Sequence, residues 1–315
     1  MQFANRTLLI CNEVNKLNSF LTCRFSLLVV VPKTSPQSSS NSEFLLFSTK
    51  FSTFLDINPM NFSIFLGAAF VVGAVIGSFL NVCIYRIPAG ESIVRPRSRC
   101  GSCGNSIKWY QNLPILSYLV LRGHCAMCNA KISWRYPLVE WLTGGLFSCL
   151  VFRFGPQPFV VALMILVAIL VTITFIDIDH QIIPDVISLP GILVGFFASF
   201  FLPWVTWGDS LLGILAGGGS LYLVAAGYAL LTGKEGMGGG DIKLLALIGA
   251  FLGWKAILPI IFFSSVLGTL VGVPLMWIKR SDGQLAIPFG PFLAAGSLTY
   301  LFWGPMIVRW YLALF

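Results

Sequence analysis

The sequence predicts an all-α polytopic integral membrane protein, with about eight transmembrane helices and one small cytoplasmic zinc-binding loop domain. Three observations carry that prediction. Of the 315 residues, 57% are hydrophobic and only 10% are charged. Apolar runs near 20 residues recur along the chain, the length needed to cross a bilayer core about 30 Å thick. A polar connection after the first run carries two Cys-x-x-Cys pairs. The runs are continuous rather than alternating, which excludes a membrane β-barrel. The net charge of +8 is concentrated in that connection, so it reads as a topology signal rather than a nucleic-acid footprint.

Residues 1–59 do not resemble the rest of the chain. An apolar piece at 27–31 is too short to span a membrane, and the Ser/Pro/Asn-rich run 34–43 cannot bury a core. The expectation is a disordered extension, with the protein proper opening at Met60. The first span covers 60–83, with Gly67, Gly73, Gly77 and Ser78 spaced for close helix packing in lipid.

Next comes the polar connection 84–136. Its eight basic residues (Arg86, Arg95, Arg97, Arg99, Lys108, Arg122, Lys131 and Arg135) face one acid, Glu91, which puts it in the cytoplasm. Further spans are predicted near 137–154, 158–176, 186–203, 209–231, 243–253, 256–278 and 286–306. The 243–253 piece is too short for an ordinary span. Trp204, Trp207, Trp303 and Trp310 fall near predicted ends, where the interface favours amphipathic rings.

Cys100, Cys103, Cys125 and Cys128 have the spacing of a structural zinc site: each pair forms one knuckle, and four thiolates close a tetrahedron. A closed tetrahedron leaves no open position for catalysis. Cys11, Cys23, Cys83 and Cys149 show no pairing pattern and are read as small buried hydrophobes.

Two carboxylates stand at the ends of apolar runs. Asp241 closes Gly236-Met237-Gly238-Gly239-Gly240-Asp241-Ile242-Lys243, where the glycines permit positive φ and close approach of another chain. Asp177 lies in Phe175-Ile176-Asp177-Ile178-Asp179-His180. Counting spans outward from the connection puts both on its side of the membrane. Carboxylates at a membrane boundary are costly without a task or partner, and two brought together share a proton and suit acid–base hydrolysis. Asp179 points about 200° from Asp177 on a helix. Asp185, after Pro184, reads as a turn residue or the N-cap of 186–203, and His180 as a loop residue. Lys243 could pair with a carboxylate or donate to substrate, and Glu140 reads as an acid in a first helical turn.

Six segments in one order carry a resemblance. They are Gly77-Ser78-Phe79-Leu80-Asn81-Val82, Arg86-Ile87-Pro88, the paired cysteines, Arg135-Tyr136-Pro137-Leu138-Val139-Glu140, the Asp177 segment with Ile183-Pro184-Asp185, and the Asp241 segment. Together they resemble the bacterial prepilin peptidase family, over Met60 to Phe315. The resemblance implies a Gly-x-Gly-Asp aspartic protease of the bacterial inner membrane. Such enzymes cut the basic leader from type IV prepilins or type II secretion pseudopilins. Many also methylate the new N-terminus with S-adenosylmethionine. It implies Asp177 and Asp241 as catalytic and puts the family's cysteine tetrad on the four cysteines of 84–136. Gly238, Gly239 and Gly240, which would let backbone reach an extended substrate, and Lys243 are read from the residues as supporting. Residues 137–315 would then form the peptidase domain. No residue pattern marks a methyl-donor site, so a peptidase without methyltransferase activity is the nearest alternative. A proton-coupled transporter and a zinc-anchored assembly factor are others. The transporter reading lacks an inverted repeat, and the assembly factor leaves the Gly-Gly-Gly-Asp run unexplained.

Overall fold

The computed structural model describes residues 59–233, 238–279 and 288–313. The expectations for 1–58, for Gly236 and for the Trp310 side chain lie outside the described residues. Among those described, every long element is a helix: α1 (Pro59–Arg86), the short α2 (Leu116–Val120), α3 (Arg135–Phe154), α4 (Val160–His180), α5 (Asp185–Ala198), α6 (Trp207–Thr232), α7 (Gly239–Leu252), α8 (Ile257–Lys279) and α9 (Gly290–Leu312). Five stretches are long and apolar enough to cross a membrane: Met60–Arg86, Arg135–Phe154, Val160–His180, Trp207–Thr232 and Trp254–Ile278.

Glycine lets the helices meet backbone to backbone. A Cβ on Gly73 would lie 2.7 Å from Gly144 Cα, and one on Gly77 would lie 2.7 Å from Glu140 Cα. These contacts lock α1 against α3, as the small-residue spacing predicts. Gly67 does not take part, because nothing lies within 4 Å of its Cβ position. On the other side of the bundle, Gly213 and Gly217 of α6 press against the backbone of Gly249 and Leu245 on α7.

α7 resolves the short predicted span. Every residue from Leu244 to Leu252 is buried, and α4, α5, α6 and α9 all pack on it. A helix apolar all round belongs inside a bundle. Its 14 residues cover about 21 Å, roughly 9 Å less than a bilayer core.

Several ends differ from expectation. α4 continues through Asp177 and Asp179 to His180, which is helical rather than in a loop. α6 starts at Trp207, two residues early, because Thr206 and Asp209 form a capping box: Asp209 N–H donates to Thr206 Oγ1 at 3.1 Å, and Thr206 N–H to Asp209 Oδ2 at 3.2 Å. α5 ends at Ala198, five residues early. Trp204, beyond that end, stacks on Phe154 with centroids 5.5 Å apart and meets Phe159 edge-on. Trp207 is exposed at the start of α6. Trp303 is also exposed but lies inside α9, nine residues before its end, because that helix runs on to Leu312.

Candidate active site and cysteine cluster

Asp177 lies one turn before the end of α4 and is 5% exposed. Past His180 the chain turns through Gln181, whose left-handed backbone (φ 54°, ψ 37°) returns its N–H to Asp177 O at 2.9 Å. The Asp177 carboxylate points at the start of α9, where Gly290 N–H donates to Oδ2 at 2.9 Å. A helix N-terminus offers unpaired N–H groups and a positive dipole end to an anion. Gly290 has to be glycine here, since a Cβ would stand 2.6 Å from that same oxygen.

Asp241 comes from α7, whose first turn is the glycine run itself: Gly238 takes the N-cap position and the helix starts at Gly239. Gly238 has φ −70°, and neither it, Gly239 nor Gly240 has positive φ. The run therefore serves close approach rather than an unusual turn. At Gly240 a Cβ would lie 2.8 Å from Ile183 Cβ, so this glycine seats α7 on the α4–α5 connection. Gly238 and Gly239 face open space, room beside Asp241 for an extended chain. Asp241 is half-buried and lies close enough to Asp177 for their charges to repel. Two carboxylates 64 positions apart in sequence are thus brought within electrostatic reach of one another by α4 and α7.

The flanking charges hold those helices. Lys243 Nζ reaches Asp185 Oδ1 at 2.6 Å, tying the first turn of α7 to that of α5. Asp185 is not the N-cap: Pro184, extended at φ −66°, ψ 131°, occupies that position, and Asp185 is the first helical residue. Its carboxylate still favours the positive end of α5. Arg135 clamps α4 from the side. Its guanidinium donates to Asp179 Oδ2 at 2.5 Å and to Phe175 O at 2.9 Å, and lies 4.9 Å from the Phe175 ring centroid. Asp179, which points away from Asp177, thereby fixes the turn that carries it.

Glu140 is not in a first turn, since α3 begins five residues earlier at Arg135. It is 7% exposed and accepts hydrogen bonds from Ile115 N–H at 2.7 Å and from the Ser78 hydroxyl.

The four cysteines converge. Their sulfurs all lie within 4.8 Å of one another, and Cys100 Sγ is 3.8 Å from Cys128 Sγ. A tetrahedral Zn²⁺ with Zn–S bonds of about 2.3 Å has S···S edges of about 3.8 Å, so the set fits a metal of that size. Each pair is a knuckle. The N–H groups of Cys103 and Ser102 hold the Cys100 thiol down to about 6, and those of Cys128 and Met127 lower Cys125 in the same way. Cys128 shows the limit. The Ala130 N–H lowers it, but desolvation and the other three thiols outweigh that and push it up to about 11. Four thiolates need a cation among them.

Carboxylates delivered by two helices of an apolar bundle, in a chain that also carries a four-cysteine loop, define a polytopic helical membrane protein with an aspartate pair. Two family models match in series: the bacterial peptidase A24 N-terminal domain over residues 71–154 and the type IV leader peptidase family over residues 164–273. The chain is 40% identical to a prepilin leader peptidase/N-methyltransferase of Pseudomonas putida, over 81% of this chain and 95% of that one. Proteins of the same name from Neisseria gonorrhoeae (41% identity, 73% and 87% covered) and Aeromonas hydrophila (37% identity, 80% and 95% covered) are also similar. No solved structure matches. The chain belongs to the type IV leader peptidase family.

Sequence reasoning missed Gly290, Arg135 as a clamp, and the Glu140 node. Pro288-Phe289-Gly290-Pro291 signalled only a helix start.

Proposed function

We propose that this chain is a membrane aspartic endopeptidase that removes the basic leader from type IV prepilins or type II secretion pseudopilins, and methylates the new N-terminus with S-adenosylmethionine. The observation that carries the reading is the Asp177–Asp241 pair, with Gly290 N–H aiming the first carboxylate. One shared proton lets the ionised member activate water while the protonated member polarises the scissile carbonyl. Gly238 and Gly239 leave room for an extended substrate beside Asp241.

Helices α1 and α3–α9 supply the eight spans, and residues 137–315 form the peptidase domain. The basic excess of 84–136 supports a cytoplasmic site. Asp241 stands in the first turn of α7 and is half-buried, which suits a site at the membrane boundary rather than in open water. A substrate with a basic leader in water and an apolar stem in lipid presents its junction at that boundary. The proposed partners are thus prepilins and the bilayer, not nucleic acid.

The test is direct. Purified protein in detergent is mixed with a prepilin, with and without S-adenosylmethionine, and the product N-terminus is read by mass spectrometry. Loss of the leader supports the peptidase, and an added CH₂ mass dependent on the donor supports the second activity. An intact prepilin across several substrates would return attention to the transporter reading.

We assign Cys100, Cys103, Cys125 and Cys128 to a structural zinc. The metal would supply folding energy to a loop with little core of its own, and four thiolates leave no site for water. Cys125→Ser is expected to lose most of the bound zinc in metal analysis and to make residues 98–134 protease-sensitive, while the membrane helices persist. Full zinc content in that variant would refute the assignment.

A further inference from the structure

Three contacts bring the ends of the first helices to one level. Asn81 Nδ2 of α1 donates to Tyr136 O of α3 at 3.1 Å, the Ser78 hydroxyl of α1 meets Glu140 of α3, and Arg135 of α3 pairs with Asp179 of α4. α3 has 20 residues, about 30 Å, which matches the bilayer core and puts Arg135 near its edge. Glu140, five residues further along, lies about 7.5 Å deeper.

That buried carboxylate holds a residue of the polar connection. Ile115 N–H donates to Glu140 Oε2 at 2.7 Å, with Ile115 at φ 61°, ψ −50°, a conformation a β-branched residue rarely adopts. α2 starts at the next residue and buries none of its side chains within the protein. Leu113, Leu116, Leu119 and Val120 are 42%, 61%, 65% and 80% exposed. At the depth of Glu140, side chains that face away from the protein meet lipid rather than water.

We propose that residues 113–121 form a membrane-inserted wedge, pinned at the depth of Glu140, whose occupant is the lipid of the same bilayer. Apolar side chains crowded so closely in an otherwise polar, basic connection call for cover. The flanks suit an interface. Lys108, with its ammonium 5.8 Å from the Tyr110 ring, and Arg122 bracket the apolar stretch and complement anionic headgroups. The wedge anchors the cysteine loop beside the spans. It rests on the membrane spans and not on the peptidase reading.

The test uses the full chain in phosphatidylethanolamine/phosphatidylglycerol proteoliposomes, with a benzophenone amino acid at single positions and adducts identified by mass spectrometry. Val72, exposed on spanning α1, is the lipid control, and Asn105, exposed in the first cysteine knuckle, is the water control. Leu119 should give lipid adducts within about threefold of Val72 and about tenfold above Asn105, as an interfacial apolar face requires. In a Glu140→Ala background the Leu119 yield should fall toward that of Asn105. Should the Leu119 variant not fold, Val120 takes its place. Lipid yield at the Asn105 level, or adducts only to prepilin or to a second copy of this chain, would overturn the proposal. An unchanged yield in Glu140→Ala would overturn the pinning.

Discussion

Asp177→Asn and Asp241→Asn are each expected to lower leader cleavage by at least about 10³-fold, close to 4 kcal/mol of transition-state stabilisation. Asparagine keeps the shape and the hydrogen-bond acceptor, so Asp177→Asn can still receive Gly290 N–H. What it loses is the ability to carry or exchange the shared proton. Neither variant should unfold. The side chains are isosteric, and a neutral amide beside the remaining carboxylate removes the need for the two groups to share a proton. The measurement is the single-turnover cleavage rate, with helix content and zinc stoichiometry as fold controls. A folded Asn variant cutting at more than about a tenth of the wild-type rate would show that its carboxylate is not part of the general acid–base pair. The two losses should also fail to add: a double variant should be about as slow as either single one, because residues acting as a unit contribute once.

How much of this is legible in the sequence depends on the range of the interaction. The helical class follows from composition, and the cysteine set from local spacing, because four ligands in two knuckles are specified within 29 positions, 100–128. The aspartates are visible as polar residues at the ends of apolar runs. Their convergence rests on span counting and resemblance, since no local pattern encodes a contact between α4 and α7. The glycine run suggests positive φ as readily as close approach, yet Gly239 and Gly240 open a buried helix and take ordinary φ. Glycine supports both uses, and only the neighbour Ile183 tells which applies. Glu140 misleads for a similar reason. Pro137 suggests a helix start, but α3 already begins at Arg135, which puts the acid in the second turn, facing Ser78 and Ile115. Arg135 counts as one of eight topology-setting charges in the sequence, and its clamp on Asp179 and Phe175 reaches across 44 and 40 positions.

Gly290→Ala is the second large expected effect, and it separates aiming from chemistry. The added methyl would stand 2.6 Å from Asp177 Oδ2 and 3.2 Å from Cγ, so either the carboxylate turns away or the start of α9 withdraws. Both break the 2.9 Å bond from Gly290 N–H. Asp177 is buried, which leaves its short side chain few other positions. A reacting group displaced by about 1 Å can cost about 10²-fold, and a loss of that size in kcat is expected here, with KM for prepilin nearly unchanged. Some stability is lost as well, because the conflict and the broken hydrogen bond fall on a buried carboxylate, so helix content is measured alongside the rate. Gly268→Ala is the control. Its Cβ would make ordinary contacts with Phe292, the nearest at 3.6 Å, so activity should stay within about twofold of wild type, as for most substitutions without a named conflict. If Gly290→Ala cuts as fast as Gly268→Ala, the α9 N-terminus does not aim Asp177. If instead KM rises while kcat holds, the start of α9 binds substrate and leaves the carboxylate to other supports.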